Sequence, residues 1–141
     1  MSATDIYVQH LESASTLPAL LAAGWDAFDF IARAAPGYDD PDSGHRGLVF
    51  MLAATTACRG RNALACAPSL PNDDVGTEAE LEQLGDETRA AACLAGLAAV
   101  IWLRFADAPA ASLGHDDGRA CAAAVAAAAE THALLSGGGS P

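Results

Sequence analysis

The chain has 141 residues, 52% of them hydrophobic, with 18 acidic side chains against seven basic ones and a formal net charge of −11. That length suits one ordinary core, and so acidic a surface, with no basic patch to displace counterions, argues against nucleic acid and membrane surfaces as partners. All seven basic residues are Arg, and alanine supplies 35 positions while β-branched and aromatic residues are sparse, so the expected fold class is all-α.

The opening "MSATDIYVQH" has no basic region followed by an apolar run, which predicts no secretory signal. The segment "SATDIYVQHLES" makes a short first helix with Tyr7, Leu11 and Ala14 on one side. The second helix, in "TLPALLAAGWDAFDFIARAAPG", has Pro18 in its first turn and Pro36-Gly37 as its stop. At about 100° per residue, Leu17, Leu20, Leu21, Gly24, Phe28 and Ile31 share its core face, and Asp26, Asp29 and Arg33 its wet face. A third helix begins after a cap at Asp42 or Ser43 and runs to about Cys66, where "APSLP" ends it.

Thr77 and Glu80 in "TEAE" have the spacing of a capping box. An unbroken helix from there to Phe105 would be about 42 Å long, against about 27 to 34 Å for its neighbours. The mismatch predicts a break at Gly85, with Asp86 capping a new helix from Glu87 to Phe105. Within it "AAACLAGLAAVIWL" is apolar nearly all round, and Ala92, Gly96 and Val100 recur at four-residue intervals that permit a close helix approach. Its charge-free run, residues 90–103, falls below the roughly 18 to 20 residues a membrane span needs. The last helix opens after "HDDG" and runs to Ser136, with one stripe of Cys121, Val125, Ala128, His132 and Leu135 and a second of Ala123, Ala127 and Leu134.

These segments predict an up-and-down bundle of four main helices with a short extra N-terminal helix. Residues 1–135 form a single helical domain and residues 136–141 a flexible Gly/Ser/Pro tail. Two apolar strips on the last helix exceed what a small monomer needs, so a homodimer is expected. The four cysteines, Cys58, Cys66, Cys93 and Cys121, show no C-x-x-C spacing and read as free thiols in a reducing, cytoplasmic compartment.

Candidate chemistry centres on "LVFMLAATTACRGRN", residues 48–62. Leu48, Leu52, Thr55, Arg59, Asn62 and Cys66 project within about 60° of one another, flanked by His45 and Thr56. If the leucines are buried, Arg59 must reach solvent, pair with Asp26, Asp29 or Asp86, or hold a ligand, because a buried unpaired guanidinium costs several kcal/mol. The ligand reading makes Arg59 a fork for a small anion, Asn62, Thr55 and His45 its orienting groups, and Trp25 or Trp102 an apolar wall. A second cluster, Asp39, Asp40, Asp42, His45, His115, Asp116 and Asp117, matches no metal motif and reads as helix caps. No metal or cofactor is expected.

Two function classes follow. The first is a small acidic bundle acting by binding, through self-association, a protein partner or a small anionic ligand at the Arg59 face. The alternative is a small cofactor-free enzyme in which Arg59 orients an anionic substrate and His45 or an Asp exchanges a proton.

Overall fold

Alanine favours helix but offers little side-chain bulk, so alanine-rich helices must approach closely to close a core. The computed structural model describes residues 4–38, 45–64, 87–107 and 115–136, and among these the chain is helical with no strand. Its helices are α1 (Asp5–Ser13), α2 (Leu17–Ala34), α3 (His45–Leu64), α4 (Glu87–Ala106) and α5 (His115–Leu135), with a 3-10 turn at Ala35–Tyr38.

The boundaries follow local chemistry. Thr16 Oγ1 accepts the Ala19 N–H at 3.3 Å, with Pro18 in the first turn of α2. Before Pro36 the α-helix gives way to the 3-10 turn. α4 starts at Glu87 as expected. Asp42, Ser43, Cys66, Thr77, Glu80, Gly85 and Asp86 lie outside the described residues, and so do the break expected at Gly85 and the tail after Ser136. α5 begins at His115, earlier than expected, so that "HDDG" is its first turn rather than the loop before it. Acidic residue types suit the positive end of a helix dipole, which explains the earlier start.

The long helices neighbour one another in the order α2, α3, α5, α4, with lighter contact between α2 and α4, and α1 lies against both of those. A strict up-and-down bundle would instead put α3 beside α4. α2 and α3 run antiparallel: Gly24 meets Leu64, and Gly60 meets Phe28. α3 and α5 are also antiparallel, since Thr56 meets Thr131 while Ala63 lies by Ala120 and Ala123.

Bulk in the core comes from a few large residues, Phe28, Phe30, Leu11, Ile31, Leu94, Leu97 and Ile101, all fully buried among alanines. Two of the aromatic rings sit where glycine leaves room. A Cβ at Gly60 would fall 2.6 Å from the Phe28 ring, and one at Gly24 would fall 2.5 Å from Phe105. Tyr7 stacks on Phe30 with centroids 4.7 Å apart, seating α1 on α2. Arg104 holds the other end of α1, donating to the Leu11 carbonyl at 2.9 Å and the Ala14 carbonyl at 2.8 Å. Those carbonyls belong to a helix end, where a cation is favoured.

One expectation changes here. Asp26, assigned to the wet face of α2, is buried at 6% exposure, because α1, α3 and α4 all pack against α2. Thr56, a flank of the proposed site, is buried too, with its hydroxyl 2.5 Å from that of Thr131, which is 0% exposed. Each hydroxyl also reaches a carbonyl of its own helix, Thr56 that of Ala53 at 3.0 Å and Thr131 that of Ala127 at 2.8 Å. The window Thr88–Ala106 has a mean hydropathy of 1.5 and is long and apolar enough to cross a bilayer by length and composition. It includes Arg89 and Arg104, which bound the shorter charge-free run. Cys58, Cys93 and Cys121 are free thiols.

The glycine at the α2–α3 crossing makes a direct test. Gly60→Ala is expected to destabilise the protein by about 1 to 3 kcal/mol in urea unfolding, although alanine is the better helix former, because the Phe28 ring has nowhere to move. Unchanged or raised stability would show that the ring is not held there.

Candidate functional site

α3 turns Phe50, Ala53, Ala57, Gly60 and Leu64 into the core. The stripe singled out by its side chains lies on the other side. Thr55, Arg59 and Asn62 are exposed, and so are the leucines that were expected to be buried, Leu48 at 52% and Leu52 at 44%, with Met51 at 49% beside them. The apparent conflict between leucines and an arginine on one face is resolved by placing the whole face outward.

Arg59 pairs with Glu130 of α5, and both side chains are more than half exposed. This is a solvated ion pair between two helices, of a kind that contributes less than about 1 kcal/mol. Thr55 donates to the Met51 carbonyl at 3.1 Å, so its hydroxyl hydrogen serves its own helix. His45 begins α3, but its side chain lies outside the described residues. The two tryptophans lie on different helices. Trp25 is half-buried on α2 with the Arg61 guanidinium 5.9 Å from its ring centroid, whereas Trp102 is exposed on α4 with the half-buried His132 ring at 6.2 Å. An open depression of about 310 Å³ lies between α3 and α5, lined by Ala63, Arg119, Ala120 and Ala123, without Arg59.

The charged network that joins helices forms around Arg61, two residues further along α3. Asp29 on α2 accepts from Arg61 Nη1 of α3 at 2.8 Å through one oxygen and from Arg33 Nε at 2.9 Å through the other. Arg33 also reaches Tyr7 Oη at 3.4 Å and lies 5.8 Å from the Phe30 centroid, extending the network to α1. Burial lowers the Arg33 pKa, but the bond to Asp29 and the neighbouring Tyr7 outweigh it and raise the value above that of a free guanidinium. Arg61 Nε further contacts Asn62 Oδ1 at 3.5 Å. Asp29 is thus the carboxylate that an arginine of α3 meets, but the arginine is Arg61 and not Arg59. The three-residue offset from Arg61 to Leu64, a core residue, was the available signal for that orientation.

Asp39, Asp40, Asp42, His115, Asp116 and Asp117 have side chains outside the described residues, and among the described residues no three His, Cys, Asp or Glu groups converge as a metal would require. Comparison with protein-family models, curated proteins and solved structures finds no match to this chain.

The two arginine contacts separate by stability. Arg59→Leu is expected to change the unfolding free energy by less than about 1 kcal/mol, as for exposed pairs. Asp29→Ala, which removes two charge-assisted bonds at partly buried groups, is expected to cost about 1 to 2 kcal/mol. Chemical denaturation of both variants checks the order, and a larger loss for Arg59→Leu would reverse these assignments.

Proposed function

We propose that the chain is a small acidic cytoplasmic helical protein that acts by binding, with self-association through the outer face of α4 as its principal contact. The observation that supports this reading is the exposure of its most hydrophobic stretch: only 39% of the Thr88–Ala106 window is buried, and its outer face carries Leu103 at 64% and Trp102 at 40% exposure. Monomeric soluble proteins keep contiguous apolar patches small, and larger ones mark contacts with other molecules.

A second surface is favoured by the exposed Leu48, Met51 and Leu52 of α3, which lies diagonal to α4 in the packing order. This ridge suits a protein partner, and the diagonal placement leaves it accessible when α4 is covered. The Arg59 end of the ridge is read as its polar margin, since the guanidinium is already matched by Glu130.

Sedimentation equilibrium of the full chain, from about 1 to 100 μM, is expected to show a monomer–dimer equilibrium. A monomer throughout that range would overturn self-association. A thermal-shift screen of small carboxylates and phosphates is expected to give no response. A stabilising anion whose effect disappears in Arg59→Leu would move the function to the Arg59 face.

A further inference from the structure

The outer face of α4 repeats with a spacing of alternating three and four residues: Arg89, Ala92, Gly96, Ala99, Leu103 and Ala106. This is the spacing of a two-helix seam, which keeps one stripe directed at a partner helix along its length. Arg89, Ala92, Gly96, Leu103 and Ala106 are exposed and Ala99 is half-exposed. A Cβ built on Gly96 meets nothing within 4 Å, so no part of the described fold covers the middle of the seam. Asp107, also exposed, follows the seam at its C-terminal end.

Size and charge along this stripe are self-complementary under one operation. Turned antiparallel about a two-fold axis between Leu97 and Ala98, Ala92 of one copy faces Leu103 of the other and Gly96 faces Ala99. The large side chain at one end therefore meets the small one at the other, twice. Arg89 then reaches Asp107 of the second copy, again twice, and no charge lies between on residues 90–103. A parallel pairing would put Leu103 against Leu103 and the like charges of Arg89 side by side. Antiparallel packing also opposes the two helix dipoles favourably.

We infer that a second copy of this chain covers α4 in an antiparallel α4–α4 contact, with Ala92 and Gly96 receiving Leu103 and Ala99 and with two reciprocal Arg89–Asp107 ion pairs. This geometry rests on the self-association proposed above and specifies its surface, orientation and register. A seam of one helix length is a small interface, so the dimer dissociates in the micromolar range. Closed two-fold pairing also uses the face completely and leaves nothing for a third copy.

Four variants of the full chain, measured by sedimentation equilibrium with circular dichroism as the folding control, test it. Arg89→Asp and Asp107→Arg each place like charges across the contact and are expected to weaken dimerisation about tenfold or more. The double variant exchanges the two charges and is expected to dimerise more tightly than either single variant. Gly96→Gln is expected to leave the monomer folded, since its side chain enters open space, and to abolish the dimer. A wild-type dimer that is indifferent to all four changes would overturn this register while leaving self-association intact. A double variant weaker than both singles would overturn the antiparallel charge pairing. A wild type that is monomeric in buffer yet floats with phosphatidylcholine vesicles would overturn both, with lipid as the occupant of the face.

Discussion

The fit of the Phe28 ring against Gly60 is the constraint on which the rest of the packing depends. α2 and α3 carry many alanines, whose methyl groups fill little space, and helices built from them form a dense interior only at short separation. Gly60 lets α3 come close to α2 while still accommodating a large ring, and Gly24 does the same for Phe105 of α4. The two aromatic residues therefore act as spacers of fixed size between thin helices. With α2 and α3 so placed, Arg61 falls within reach of Asp29, and the small face of α3 is presented to α5.

The arginines divide by what they hold. Arg33 and Arg61 converge on one carboxylate, and Arg104 caps the end of α1, so three cations tie α1 to α4 and α2 to α3. Arg59 lies outside that scheme, in an exposed pair with Glu130. In a chain with 18 acidic side chains and seven arginines, cations committed to structure leave the remaining surface strongly negative. Any second copy would be repelled over most of that surface, and least along the charge-free residues 90–103.

Much of the fold was legible in the sequence: helical class, Pro18 in the first turn of α2, the stop at Pro36 and the start at Glu87 all follow from local chemistry. The orientation of α3 was not, and the reason is physical. Leu48 and Leu52 are four residues apart in residues 48–62, so their shared face looks like the core face. In an alanine-rich chain close approach favours small residues, and Ala53, Ala57 and Gly60 turned inward instead, with Phe50 and Leu64 filling the same face at its two ends. The same error put Arg59 where a ligand would need it and hid Arg61. Asp26 was misplaced by the assumption that a helix in a small bundle has one wet side, whereas α2 is flanked by three others. The neighbour order of the helices depends on contacts between residues far apart in the chain, and no local signal carries it.

The buried threonine pair carries a further consequence. Thr56 and Thr131 have two hydroxyl hydrogens between them, but three short contacts to satisfy: one to each other and one to a carbonyl of each helix. One contact must therefore lack a proton at any instant. Whichever hydroxyl donates across the interface, the carbonyl it gives up keeps its place in the helical ladder, so neither arrangement strands a polar group. The two arrangements differ only in the position of hydrogens, and the protein exchanges one for the other without moving a heavy atom. The centre of the α3–α5 contact thus retains a small proton-order entropy inside an otherwise fixed core.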